Sequence, residues 1–242
     1  MIEFKNVDFE YDKERKVFSG LSFKIEKGES VGLIGANGAG KSTLMKLMLG
    51  LLAFKGEIII DGLPVNKQNL SLVRKKIGYV LQNSDNQMFM PTVLDDIMFG
   101  PLNYGHSREE AEKIADEALL LLNLKELKMR HNHKLSGGEK KMAAIATIIA
   151  MKPKIVLMDE PTSALDPYNR RKVIEIINSL NYTKLIASHD LDMILDTCDK
   201  VILLGKEGIA AMGNAKDILM QKDLLEANRL ELPLRYYYKS KL

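Results

Sequence analysis

Apolar and polar positions follow two alternating rhythms along the chain. Ile2, Phe4 and Val7 open a polar–apolar alternation, and Leu21, Phe23 and Ile25 repeat it at strict period two, as in half-buried strands. Val31-Gly32-Leu33-Ile34 is an unbroken apolar run that ends in a glycine-rich turn, which predicts a short buried strand. A helical segment over 43–49 follows it directly. Lys55-Gly56-Glu57 and Asp61-Gly62 bracket Ile58-Ile59-Ile60, a strand with turn chemistry at both ends, and 77–81 predicts another strand. From Gln82 to about Met151 the period becomes helical. Ser107 and Glu110 have capping-box spacing, and Ala111, Ile114, Ala115, Ala118, Leu119 and Leu122 trace one buried helical face. Strands return at 155–158, 184–187 and 201–204, and Asp166-Pro167 predicts the N-cap and first turn of a helix running to about Leu180. Alternating strands and helices predict an α/β core with an early β insertion and a helical insertion. No internal repeat or low-complexity linker is visible.

Composition narrows this picture. A chain of 242 residues, 46% apolar and 28% charged, fits one large soluble domain that buries a central sheet without a disulfide or structural metal. The 35 Lys and Arg against 32 Asp and Glu leave a charge of +3, which gives no push toward nucleic acid. A single cysteine, Cys198, excludes an internal disulfide framework, fits a reducing compartment and is expected to be a buried spectator beside a strand. Met1 to Lys5 shows no apolar signal region, and the uncharged run 142–151 is about half of the ~20 residues a membrane span needs. The chain is therefore not expected to cross a bilayer by itself. The 13 methionines, scattered over strands and helices, are expected as core filler. His131-Asn132-His133 is expected as a solvated loop, because no carboxylate or cysteine completes a metal set. Tyr236-Tyr237-Tyr238, with Lys239 and Lys241, is expected to be disordered or to pack in a dimer.

The chemistry is concentrated in two motifs. Gly35-Ala36-Asn37-Gly38-Ala39-Gly40-Lys41-Ser42, followed by Thr43, fits G-x-x-x-x-G-K-[ST] after a strand and before a helix. Glycines let successive backbone N–H groups face one concavity, and the helix N-terminus adds partial positive charge. Lys41 is then placed to reach the β- and γ-phosphates, and the Ser42 hydroxyl to ligate Mg²⁺. The second motif is the apolar strand 155–158 ending in Asp159 and Glu160, where α/β sheets place their ligand crevice. Asp159 is the candidate Mg²⁺ ligand, and Glu160, one residue on, the candidate group that polarises an attacking water. Taken alone, the two carboxylates also read as the decoration of a strand end. The guanine-selecting N-K-x-D pattern is missing, since Asn66-Lys67-Gln68-Asn69 lacks the aspartate.

Leu135-Ser136-Gly137-Gly138-Glu139 decides the family. With both motifs around it, nearly the whole chain resembles an ATP-binding-cassette (ABC) ATPase, in the family's motif order. The resemblance implies a P-loop NTPase with a RecA-like core, an N-terminal antiparallel β subdomain and a helical insertion subdomain. Core and β subdomain would occupy 1–81 and 152–213, the helical subdomain about 82–151, and a short tail 214–242. Tyr11 matches the aromatic that stacks on adenine. Gln82 matches the glutamine that reaches Mg²⁺ and senses a transmembrane partner. Ser136, Gly137 and Gly138 match the signature that contacts the γ-phosphate held by a second copy. Ser163-Ala164-Leu165-Asp166 matches the loop across the dimer seam, and His189 the switch histidine at the γ-phosphate. A serine followed by two glycines at a helix start is physically a second anion site, which one chain alone cannot use. By itself it also reads as a glycine-broken cap.

A finer likeness runs through Gln82-Asn83-Ser84-Asp85-Asn86-Gln87-Met88-Phe89, which is similar to a run in energy-coupling-factor (ECF) ATPases. Lys140-Lys141 after the signature, Ala150-Met151-Lys152-Pro153 and the stretch 224–234 look most like the cobalt/nickel branch. Met142 stands where an arginine often follows the signature, and Ser84 where proline is usual. The resemblance implies ATP and Mg²⁺ as cofactors, and a second ATPase subunit, the same or a close relative, as partner. It also implies a coupling and a substrate-binding membrane subunit, a peripheral place on the cytoplasmic face of the membrane, and no nucleic acid. Vitamin uptake by the same class of cassette is the neighbouring reading. A cytosolic ABC ATPase is another, although such proteins usually carry two cassettes or a long coiled coil.

Overall fold

The computed structural model describes residues 1–12 and 16–237. The N-terminal alternation becomes β1 (Ile2–Glu10) and β2 (Lys16–Ile25), an antiparallel pair in which Phe4 lies opposite Phe23. Their rings stack at 4.5 Å, the kind of cross-strand pair that stabilises a sheet. β3 (Ser30–Gly35) is buried along its whole length and passes through the glycine-rich turn into α1 (Lys41–Met48). β4 (Lys55–Ile60) and β5 (Leu63–Pro64) complete the first sheet, of order β2-β1-β4-β5. α2 (Leu70–Lys76) then leads into β6 (Ile77–Val80). The apolar pattern gives no sign of α2, because only Val73 on it is buried and one residue makes no stripe.

Three helices follow: α3 (Val93–Asn103), α4 (Arg108–Leu121) and α5 (Gly137–Ile149). α4 opens with the expected capping box, in which the Glu110 N–H donates to Ser107 Oγ and the Ser107 N–H to the Glu110 carboxylate. Asp96 on α3 is buried and accepts the backbone N–H groups of Phe89 and Met90, at 3.2 Å each, and the Asn132 side-chain amide. That amide also donates to Met90 O at 2.6 Å. The His131-Asn132-His133 stretch thus differs from a wholly solvated loop. Both histidines are exposed, but Asn132 turns inward, because backbone groups sealed under α3 need polar partners.

The chain returns to the core as β7 (Ile155–Asp159), α6 (Pro167–Ser179), β8 (Thr183–Ala187), α7 (Leu191–Thr197), β9 (Lys200–Leu204) and β10 (Ile209–Asn214). The second sheet has the order β10-β9-β3-β8-β7-β6, parallel throughout except for β10. Apolar side chains bury both of its faces, one under α3 to α7 and the other against α1 and the first sheet. This double burial explains why its strands read as unbroken apolar runs. Cys198 lies buried at the end of α7, and burial pushes its thiol up to about 11.

α8 (Ala215–Leu219), α9 (Lys222–Ala227) and α10 (Leu234–Tyr237) close the described chain. α10 takes in Tyr236, while 238–242, with Lys239 and Lys241, lie outside the described residues. Arg235 fastens α10 to α7 through Asp192 and Asp196, each at 2.7 Å. No helix among the described residues is long and apolar enough to cross a membrane.

The buried Asp96 carboxylate generates a first prediction. Asp96→Ala leaves two N–H groups and an amide without their acceptor, so urea unfolding is expected to lose about 2 kcal/mol of stability. An unchanged midpoint would show that the carboxylate does not hold this segment.

Candidate active site

Parallel strands bring their carboxyl ends to one rim, and each of four adjacent strands there delivers a motif. The phosphate loop follows β3, His189 follows β8, Asp159 and Glu160 end β7, and Gln82 follows β6. The residues enclose a cavity of about 430 Å³. Asn37, Gly38, Gly40, Lys41, Ser42 and Thr43 form one wall, Gln82, Asp159, Glu160 and His189 the other, with Tyr11 and Val17 at the mouth. Gly35 lies beneath, and Ala36 and Ala39 face the outer side of the loop.

Gly40 caps α1 at a φ of 101° in the left-handed region. A Cβ at that position would also stand 2.7 Å from the Phe18 ring, so both backbone and packing require glycine. The turn aims the free N–H groups of the α1 first turn at the cavity. Lys41 is largely buried, and its ammonium donates to Gly35 O at 2.8 Å and Ala36 O at 3.3 Å. It also meets His189 Nε2 at 3.2 Å. Burial lowers the Lys41 pKa below the ordinary lysine value, and the Glu160 and Asp159 carboxylates pull it part of the way back.

Glu160 is held from behind. Its Oε2 accepts Ser188 Oγ–H at 3.1 Å and the His189 N–H at 3.3 Å. Its Oε1 is buried with no hydrogen-bond partner and lies 3.5 Å from His189 Nε2. The backbone of Glu160 has a φ of 47°, a strained value for a residue with a side chain, and strain of this kind gathers where geometry serves function. Asp159 accepts the Tyr79 hydroxyl at 3.2 Å. Burial, followed by the field of Asp159, raises the Tyr79 pKa and keeps that hydroxyl a donor. At the mouth, Tyr11 is 48% exposed and shares a 3.0 Å hydrogen bond with Thr43 Oγ1.

Ser136, Gly137 and Gly138 do not line this cavity. Ser136 caps α5 with a full capping box, and Gly138 packs so tightly on α6 that a Cβ there would meet Asn169 at 2.2 Å. Ser136 and Gly137 are exposed, so the turn presents its open N–H groups outward. Asp166 caps α6 as its sequence predicts, donated to by the N–H groups of Tyr168 and Asn169 at 3.0 Å.

Several supporting residues escape sequence reasoning. Ser188 and Tyr79 hold the two carboxylates, yet neither belongs to a motif read above. Asp190 caps α7 and takes a two-pronged bond from Arg170 at 2.6 and 2.9 Å, which ties the His189 turn to α6. Burial disfavours the Asp190 carboxylate, but its bonds to Arg170 and to the Met193 N–H outweigh this and lower its pKa. The signal available was Asp190 standing just before a short apolar run, a helix-start pattern. Met142 is buried in the helical layer, while Lys141 beside it carries the inward-facing cation.

A phosphate cradle on the rim of a parallel sheet, facing paired carboxylates two strands away, defines a P-loop nucleotide hydrolase. The model of the ABC transporter family matches residues 18–163, and the chain belongs to that family of ATPases. It is 41% identical over 239 residues to the energy-coupling factor transporter ATP-binding protein EcfA of Methanocaldococcus jannaschii, covering 96% of this chain and 86% of that protein. Among solved structures, CbiO1 of Clostridium perfringens, part of the ABC transporter complex CbiONQ, is 31% identical with a TM-score of 0.86. That similarity spans 100% of this chain and 98% of CbiO1. A dimeric, post-hydrolysis ATP-binding cassette bound to ADP and phosphate is 28% identical, with a TM-score of 0.77, over 89% of this chain and 99% of that one.

The buried ammonium makes ATP affinity depend on pH. Phosphate binding needs Lys41 protonated, so affinity is expected to fall as pH rises through its lowered pKa, approaching tenfold per pH unit above it. Titrations of Lys41→Ala should be weak at every pH and lack this slope. A native chain with flat affinity up to the ordinary lysine pKa would contradict the assignment.

Proposed function

We propose that the chain is the ATP-hydrolysing subunit of an ECF-type importer for cobalt or nickel ions. It works on the cytoplasmic face of the membrane, paired with a second cassette and docked on a coupling and a substrate-binding membrane subunit. The observation that carries the paired reading is the exposed Ser136–Gly137 start of α5: a hydroxyl at a helix N-terminus, set apart from the chain's own phosphate loop. The ECF name of the 41%-identical relative supports the importer class. The CbiONQ membership of CbiO1, with the likeness of 224–234 and Ala150-Met151-Lys152-Pro153, supports the metal branch. In the helical layer, the exposed rings of Phe89 and Phe99 meet edge to face at 4.9 Å, with Leu102 and Tyr104 also exposed. Such an apolar patch suits a membrane partner.

Within each pocket, Lys41 and the loop N–H groups of Gly35 to Ser42 neutralise the phosphates, and the Tyr11 ring lies against the adenine. Ser42, Asp159 and Gln82 offer oxygen donors from one cavity wall to the other, a hard ligand set that fits Mg²⁺. The bound ion would spread the charge of the β- and γ-phosphates. Glu160, its Oε2 held by Ser188 and the His189 N–H, polarises the attacking water. His189, between Lys41 and Glu160, holds the γ-phosphate geometry. Positioning and electrostatics are most of what such chemistry needs.

Glu160→Gln is expected to keep ATP binding, lose turnover by about a hundredfold or more and accumulate an ATP-bound dimer in sedimentation runs. Native-like turnover in that variant would contradict the role of Glu160. ATP-dependent uptake of Co²⁺ or Ni²⁺ into vesicles carrying the membrane subunits tests the metal layer, and uptake of neither ion would overturn it.

A further inference from the structure

Glu160 stands between two opposing pulls. In front of it, Lys41 lies one ring nitrogen away: His189 Nε2 is 3.5 Å from Glu160 Oε1 and 3.2 Å from the Lys41 ammonium. Of the two carboxylates that act on Lys41, Glu160 acts more strongly. Attraction between opposite charges is steep where protein has displaced water, so an untethered carboxylate would swing toward the ammonium. Behind it stand two donors to Oε2, the Ser188 hydroxyl at 3.1 Å and the His189 N–H at 3.3 Å. The backbones here are already pinned, since the Glu160 N–H donates to Ala187 O at 2.9 Å and the Ser188 N–H to Leu33 O at 3.3 Å. Ser188 is 1% exposed, so solvent does not compete for its hydroxyl. Its oxygen accepts the Asp190 N–H at 3.0 Å and its single proton goes to Glu160. Asp190 in turn caps α7 and is gripped by Arg170 of α6 at 2.6 and 2.9 Å. The hydroxyl is therefore aimed by a chain of bonds anchored on a helix outside the cavity. A buried alanine would fill nearly the same space without the donor.

We propose that Ser188 is a positioning residue for hydrolysis: its hydroxyl holds the Glu160 carboxylate back from Lys41. The carboxylate is thereby kept for the attacking water, and the ammonium for the phosphates. The proposal rests on the reading of Glu160 as the water-polarising group and adds what keeps it in place. Ser188 does not line the cavity and acts only through Glu160. A hydrogen bond to an ionised acceptor is among the stronger ones. A reacting group displaced by about an ångström can cost about a hundredfold in rate, so one such tether is enough to matter.

Single-turnover hydrolysis and crystal structures of the full-length chain test this together. Ser188→Ala should slow hydrolysis by about fivefold or more and leave affinity for a non-hydrolysable ATP analogue within about twofold. The nucleotide-free structure of that variant should show the Glu160 carboxylate in direct contact with the Lys41 ammonium. The substitution also takes the acceptor from the Asp190 N–H, so a second background separates positioning from general damage. In Glu160→Ala there is no carboxylate left to place, and adding Ser188→Ala should change the residual rate by less than about twofold. A smaller loss of rate in Ser188→Ala, a loss of affinity that matches it, or an unmoved carboxylate would each overturn the proposal. So would the same loss repeated in the Glu160→Ala background, which is the mark of a merely structural residue. Native-like hydrolysis in Glu160→Ala alone would sink the reading of Glu160 itself, a separate and recognisable failure.

Discussion

An ammonium group buried between backbone carbonyls and two carboxylates organises this molecule. Lys41 is held by Gly35 O and Ala36 O, touches His189 and feels Glu160 and Asp159, so three strand ends meet around one positive charge. Such a charge is tolerated inside a protein only where fixed dipoles and anions answer it. The carboxyl ends of parallel strands offer this arrangement, because each strand leaves a loop on the same side of the sheet. The first sheet and α1 close one flank of the rim, and the helical layer from α3 to α5 closes the other.

What lies outside the rim follows from the same logic. The Ser136–Gly138 turn sits at the head of α5, outside the cavity that the phosphate loop lines. Lys141, Gln87 and Lys140 tie that loop and α5 together with mostly buried polar contacts. A few named bonds thus join the helical layer to the loop that leaves β6, while the Phe89–Phe99 pair stands exposed at the surface.

Most of the architecture was legible in the sequence where periodicity is strong. β3 and β7 appear as unbroken apolar runs because both faces are covered, and the Ser107 and Asp166 caps lie where their spacing puts them. α2, α7 and the short C-terminal helices were hidden, since four to seven residues seldom display a full turn-by-turn stripe. β10 was missed because its residues alternate between partly buried and exposed without a strong apolar side. In the site, motif spacing located Lys41, Ser42, Asp159 and Glu160, which face the cavity, and the family resemblance pointed to His189. Their supports were not legible. Ser188, Tyr79 and Arg170 act through contacts made only once distant strands and helices meet, and no local pattern marks such a partner. Asn132 shows the reverse, a residue whose neighbours looked solvated until the fold closed over it.

In the proposed pair each pocket is completed by two chains. A crystal structure of Glu160→Gln with ATP–Mg²⁺ tests it most directly. The account predicts a head-to-tail pair with each γ-phosphate between Lys41 of one copy and the Ser136–Gly138 turn of the other. A fully occupied phosphate loop with that turn facing solvent, in a pair joined through some other surface, would contradict it.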